Sequence, residues 1–244
     1  MAFAFFDLDQ TLVPWDTQAL FCRHVLRREG WRRAYLPVFA PVVPLAAVKL
    51  VRSRGLKRVF LSYLWRMPLE RLARHVEEFV SEAVLPIVYP EVRAELERHR
   101  SEGRITILNT ASPDIYAENI AAALGFDHCF ATRVPLPASG RVPFCPRIAG
   151  PNNKREAKLS AMRHLLPPGA TDPGAPPLAD SFAYSDSHAD LPMLRLAEHP
   201  VMVHPDKTLA AIGRPSGWRE LHPPRPFAGR WGYRLGCLRQ AVGV

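Results

Sequence analysis

The sequence predicts an α/β fold, a parallel sheet with helices on both faces, and three observations predict it. Short apolar runs without polar alternation, Ala2 to Phe6, ITILNT at 105–110 and SFAYS at 181–185, read as strands buried on both sides. Segments with apolar residues at the helical spacing of three and four follow each run. Every run also stops abruptly in polar residues, as strands do where a ligand sits beyond their carboxyl ends.

AFAFF fills the first strand and stops at Asp7. From Gln18 to about Leu85 the pattern turns helical through ALFCRHVLRR, GLKRVFLSYLWRM and PLERLARHVEEFVSEAVL, which defines an α-helical insert. PEVRAELERHR (90–100) is an amphipathic helix closed by Gly103, ITILNT the second strand, and AENIAAALGF a helix with Gly125 just past its end. REAKLSAMRHLL gives another helix, PPGATDPGAPP (167–177) a surface loop, SFAYSDS a third strand, LPMLRLAEH a helix and PVMVH a short strand. The expected organisation is a core of 1–16 and 86–222, a helical insert of 17–85 and a basic C-terminal tail of 223–244.

Composition sets the outer bounds. In 244 residues, 48% hydrophobic and 23% charged, there is material for a real core, which excludes a disulfide-stapled miniprotein, wholesale disorder and a multi-span membrane protein. Cys22, Cys129, Cys145 and Cys237 lie far apart without CxxC spacing, so neither a zinc knuckle nor a disulfide framework is expected. The start, MAFAFFDLDQ, lacks a basic n-region and meets two carboxylates early, the reading of a chain that stays in the cytoplasm.

Charge is unevenly spread. Arg23 to Arg74 holds thirteen Lys or Arg against Glu29 and Glu70, and the stretch beyond Leu221 adds four Arg and no acid, while the whole chain is only +9. A basic surface invites nucleic acid, anionic headgroups or a phosphorylated substrate. No RNP-like aromatic motif, zinc finger or basic heptad accompanies it, so no nucleic-acid partner is expected.

The chemistry gathers at three strand ends: Asp7-Leu8-Asp9-Gln10-Thr11, Asn109-Thr110-Ala111-Ser112 and Tyr184-Ser185-Asp186-Ser187-His188-Ala189-Asp190, with Lys158 one segment before the third. Asp7 and Asp9, two apart, point to one side of an extended backbone, and their repulsion is relieved by a divalent cation or an ammonium group. A set of oxygen ligands indicates Mg²⁺ rather than zinc. Thr110 serves either that site or as a cap for the next helix, for which Ser112 with Pro113 competes. His188 reads as a loop residue, and Asp16 with Thr17 as caps of the first insert helix.

FDLDQTL, a strand ending in Thr110, Lys158 and YSDSHAD, in that order, resemble the four motifs of the haloacid dehalogenase superfamily. The helical insert between the first and second motifs resembles its phosphoserine-phosphatase-like branch, subfamily IB, and the likeness runs to about Leu221. Lys154 competes for the third motif, but AGPNNKREAKL is similar to the family's stretch with Lys158 in place. Gln10 and Ser185 stand where the family usually has Gly. The resemblance implies a Rossmann-like parallel sheet with an inserted helical cap, and an Mg²⁺-dependent phosphomonoesterase. Asp7 would be the nucleophile forming an aspartyl phosphate, and Asp9 the general acid and base. Mg²⁺ would be held by Asp7, the Asp9 carbonyl and Asp186, while Thr110 and Lys158 hold the transferring oxygens. Asp190 would belong to the phosphate site by positioning Lys158, or would tune the metal shell.

The insert bears on substrate. Ala34 to Val48 is uncharged and broken by Pro37, Pro41 and Pro44, too short to span a bilayer. Arg27, Arg28, Arg32 and Arg33 precede it, Lys49, Arg52, Arg54, Lys57 and Arg58 follow, and Trp31, Tyr35 and Trp65 are near. Such a segment is drawn to an anionic membrane surface, or it is the insert's own core; both readings stay open. With YSDS in the last motif, this arrangement resembles the bacterial phosphatidylglycerophosphate phosphatases of the C type. The expected function is therefore hydrolysis of a phosphomonoester, either a membrane lipid phosphate or a small soluble one such as phosphoserine or a sugar phosphate. The other class is a non-hydrolytic module, a phosphoacceptor switch or headgroup binder, against which an intact Asp9 argues.

Overall fold

The structure, a computed structural model, describes residues 1–48, 50, 53–138 and 140–244, with Ala47 and Ser53 described by backbone alone. Lys49 and Arg52 of the basic segment lie outside the described residues.

Strand β1 (Phe3–Phe6) is followed by the helices of the insert: α1 (Thr17–Arg28), α2 (Leu36–Phe39), α3 (Val42–Ala47), α4 (Ser53–Phe60) and α5 (Leu69–Glu78). The sheet resumes after α6 (Pro90–Ser101) with β2 (Ile105–Pro113), α7 (Asp114–Leu124) and β3 (His128–Thr132). Next come α8 (Glu156–Met162), β4 (Leu178–Ser185), α9 (Leu191–Leu196), β5 (Ala197–Val203), α10 (Lys207–Gly213), β6 (Arg219–Leu221) and α11 (Gly229–Ala241). Six parallel strands run in the order β3-β2-β1-β4-β5-β6. The chain winds outward on one side of β1 and then on the other, so the order reverses between β1 and β4. That reversal opens a crevice at the strands' carboxyl ends, where Asp7 and Asp186 follow.

The period of two in β1 divides the core. Ala4 and Phe6 face a cluster shared with the insert, including Phe21, Tyr63, Phe79 and Tyr116. Phe3 and Phe5 face Met162, Met193 and Leu194 on the other side. Each fully buried Phe contributes roughly 1.5–3 kcal/mol, which makes β1 the shared wall of both clusters.

The three prolines explain the segment 34–48. Pro37 and Pro44 lie in the first turns of α2 and α3, and Pro41 caps α3, positions where a missing N–H costs nothing. The result is two short helices instead of one long one. Tyr35 is buried, whereas Val38, Val43, Leu45 and Val48 are exposed, Val48 by 66%. Among the described residues no helix is long and apolar enough to cross a membrane.

Four elements go beyond the expected set. β3 and β6 are edge strands whose polar ends, His128, Thr132 and Arg219, hide their pattern, and α10 is a short helix capped by Asp206. The stretch read as a basic tail holds α11, which packs on α1. Gly236 makes that approach feasible: a Cβ there would sit 2.3 Å from the Trp15 ring. Trp15 stacks on Tyr233 and meets Phe227, and Arg33 donates to the carbonyls of Val242 and Gly243.

Candidate active site

β1 delivers Asp7 into the crevice with its side chain almost buried. The backbone then turns tightly, the N–H groups of Thr11, Leu12 and Val13 all donating to the Leu8 carbonyl. Gln10 takes a φ of 63° to complete that turn, the conformation that explains why glycine suits the position. Gln10→Gly should therefore raise stability by about 1 kcal/mol, read as a higher urea midpoint at unchanged slope. An unchanged or lower midpoint would show that the turn carries no strain.

The same turn swings Asp9 toward the start of α1. Its Oδ1 accepts from the Thr17 N–H at 2.7 Å and its Oδ2 from the Ser112 hydroxyl at 2.8 Å. Asp16 caps α1 through the Ala19 N–H as expected, whereas the Thr17 hydroxyl is engaged with Ser112 and does not cap.

Lys158 is buried with its Nζ 2.6 Å from Asp7 Oδ1 and 2.7 Å from Asp190 Oδ2. This geometry separates it from Lys154, which lies on the cleft wall. Asn109 helps seat it by donating to the Lys158 carbonyl, and Asn153 ties Asn109, Thr110 and Phe130 together. Ser185, standing where glycine is usual, donates to Asp190 Oδ2 at 2.8 Å. Asp190 is thus occupied by a lysine and a serine.

Asp7, Asp9, Lys158, Asp186 and Asp190 share one cleft of about 280 Å³. Thr110 is fully buried behind its wall, its hydroxyl accepting from the Ser112 N–H, while Ala111 and Ser112 face the opening. Neither Thr110 nor Ser112 caps α7, whose start carries no side-chain cap. His188 sits half-exposed against Asp206 and is not among the residues lining this cleft. Residues that sequence reasoning did not place also line the cleft: Lys57 from the insert, Asn152, and Tyr233 from α11. Lys57 donates to the Ala111 carbonyl and to Asn152 Oδ1. Arg54 and Arg58 likewise reach core carbonyls, at Ile148 and at Cys145 and Pro146. These cations clamp the insert to the sheet domain, and nothing in the sequence distinguished them from their solvated neighbours.

The electrostatics follow from crowding. Burial, opposed by Lys158 and aided by Asp190 and Asp9, pushes the Asp7 carboxyl up to about 7. Burial and then Asp16 push Asp9 up to about 6. Asp186 is held well above the carboxylate range by burial, then by Asp7 and Asp190. Burial would depress Lys158, but Asp190 and Asp7 outweigh it and raise its pKa. Burial lowers Lys57 to about 8. Among the described residues no protein donor reaches the Asp186 carboxylate. Asp7 and Asp186 form an all-oxygen set that gains from a hard cation, and the residues fit Mg²⁺ on that ground.

The chain belongs to the haloacid dehalogenase-like hydrolase family, whose model matches residues 4–195. It is 30% identical over 91% of its length, and 79% of the relative's, to the "Inhibition of morphological differentiation protein" of Streptomyces azureus. It is 25% identical to a histidinol-phosphatase of Neisseria meningitidis, covering 90% of this chain and 97% of that one. A crystal structure of a Bordetella pertussis protein of unknown function superposes with a TM-score of 0.73 at 26% identity, covering 91% of this chain and 98% of that one. The chain is an enzyme of this family with named phosphatases among its relatives.

Proposed function

We propose that the chain is an Mg²⁺-dependent phosphomonoesterase acting through an aspartyl phosphate on Asp7, with a small soluble phosphoester as substrate. The observation that carries this is the placement of two aspartates with separate tasks in one cleft, Asp7 against Lys158 and Asp9 against Thr17 and Ser112. Asp7 attacks phosphorus, the P–O ester bond breaks, and the departing alkoxide takes a proton from Asp9. Asp9 then removes a proton from water, whose oxygen displaces Asp7 from phosphorus and releases inorganic phosphate. A group whose pKa is about 6 is matched to donate and accept near neutrality. Lys158 balances charge on the transferring oxygens, kept in place by Asp190. The carboxylates of Asp7 and Asp186 with the Asp9 carbonyl would hold Mg²⁺, which supplies positive charge against the phosphate. Thr110 supports this from behind by fixing the Ser112 backbone.

The small, polar cleft and the clamped cations favour a soluble ester, and the phosphoserine phosphatase and histidinol-phosphatase names among the relatives fit that class. The exposed side chains of α2 and α3 favour the second reading, a lipid phosphate such as phosphatidylglycerophosphate met at an anionic surface. Phosphate release from EDTA-treated protein decides, with and without Mg²⁺, on phosphoserine, histidinol phosphate, sugar phosphates and phosphatidylglycerophosphate in mixed micelles. Mg²⁺-dependent turnover of a soluble ester supports the first reading, and turnover confined to micelles the second. Stoichiometric labelling without release would make the chain a phosphoacceptor.

Among the described residues Lys57 is the insert cation that lines the cleft as well as clamping the insert. Lys57→Met should raise KM for an anionic ester roughly 10- to 150-fold, the loss of a charge-assisted contact of about 1.5–3 kcal/mol. Because its pKa is lowered to about 8, the wild-type KM should climb as pH rises through 8 and the ammonium discharges. Lys57→Arg should flatten that rise. A KM indifferent to both changes would make Lys57 a clamp only.

A further inference from the structure

Inside the insert, away from the cleft, α1 and α5 bring His24, His75 and Glu78 together. One ligand atom from each lies within 4.8 Å of the others, and both imidazoles are buried. The His24 Nε2 and His75 Nδ1 atoms are each buried without a hydrogen-bond partner. Two orphaned ring nitrogens on neighbouring buried imidazoles are costly unless something completes them. Glu29, which can only accept, takes a hydrogen bond from the His75 Nε2–H at 2.9 Å, which leaves the unpartnered Nδ1 with its lone pair free to ligate. A carboxylate behind a ligating histidine is the arrangement that fixes its tautomer and raises its basicity. An opening of about 350 Å³ lined by Arg28, Glu29, Arg71, Arg74, His75 and Glu78 leads in from solvent.

We propose that His24 Nε2, His75 Nδ1 and Glu78 form a site for a zinc-class divalent ion that ties α1 to α5, with its remaining position turned to the opening. The donor set decides the ion: two imidazoles and one carboxylate suit Zn²⁺ or Co²⁺, whereas Mg²⁺ and Ca²⁺ want oxygen alone. Bonds of about 2.0–2.1 Å place tetrahedral ligand atoms about 3.3 Å apart, so the gap closes by small rotamer adjustments. Arg28 donates to His24 Nδ1 and pairs with Glu78 and Glu82. Ligation at Nε2 moves the ring proton to Nδ1, so Arg28 gives up that contact and turns to Glu82. The site is independent of the catalytic reading, since no residue is shared.

The test uses the full chain, stripped with EDTA and resupplied with excess Mg²⁺ so that the oxygen site is filled. Titration with Co²⁺ should give the intense visible bands of a four-coordinate nitrogen-containing site, displaced by one equivalent of Zn²⁺. Zn²⁺ should shift the ring-nitrogen NMR signals of His24 and His75 and raise Tm. Glu78→Gln, at the exposed mouth where folding is safe, should weaken Zn²⁺ at least tenfold, and Glu29→Gln by about 10- to 100-fold while leaving the stoichiometry at one. Weak octahedral bands alone, unmoved histidine signals, or Zn²⁺ affinity indifferent to Glu78→Gln would each overturn the site.

Discussion

Asp7→Asn should abolish phosphate release while leaving the fold intact. The amide keeps the shape of the carboxylate but has no charge with which to attack phosphorus. Removing a covalent nucleophile or its base costs on the order of 10⁴- to 10⁶-fold in turnover, far beyond any positional effect expected of its neighbours. Stability should move the other way in EDTA, because Asp7 is crowded by burial and by Asp190 and Asp9, and a neutral amide relieves that repulsion. The relief is bounded by the loss of the Lys158 partner at 2.6 Å, so the net change should be small. Asp9→Asn should differ in kind. Its acid and base work is lost while the nucleophile survives, so a substrate with a good leaving group should still label Asp7, and the label should yield to hydroxylamine. Near wild-type release by Asp7→Asn would remove the proposed mechanism.

How much of this was legible depended on whether a residue's task is fixed locally. AFAFF ending in Asp-Leu-Asp could hardly be other than a buried strand running into a polar turn, because only a central parallel strand is apolar on both faces. The presence of Asp7 and Asp9 in one cleft was legible for the same reason, being set by chain adjacency to that strand. Lys158 was legible only in part, since what separates it from Lys154 is a buried triangle with Asp7 and Asp190 drawn from three distant segments. Lys57 was not legible as a cleft residue at all. Its neighbours Arg54 and Arg58 share its composition and charge, and only the docking of α4 on the loop around Cys145 to Asn152 selects which cation faces the carboxylates. α11 failed for a related reason. Its stabilising contact is a ring from the far end of the chain, Trp15, pressed on Gly236, and a glycine inside a short arginine-rich stretch argues against a helix when that ring is unseen.

Lys158→Met should unfold the protein more readily than any other single change in the cleft. Methionine matches the stem but leaves Asp7 and Asp190 buried beside each other with no cation between them. Removing one member of a buried ion pair costs about 3–5 kcal/mol, because the remaining charge has lost its partner and cannot regain water. Here two carboxylates are stranded, and Ser185 compensates only Asp190. The sign of the pH dependence follows. Burial already raises the Asp7 carboxyl against the pull of Lys158, and without the ammonium it rises further above its unfolded value, so the stabilising effect of protonation is full in acid and lost as pH rises. The gap to wild type should therefore be widest near pH 8 and narrow toward pH 5, measured by urea unfolding in EDTA. Adding Asp190→Asn should recover much of the loss, since one stranded charge is gone and its amide can donate to Asp7. Activity should not return with it, because the transferring oxygens still lack their cation, a deficit of roughly 10²- to 10³-fold. A deficit that is flat with pH, or a double variant no more stable than the single one, would mean that Lys158 acts through packing and not through charge.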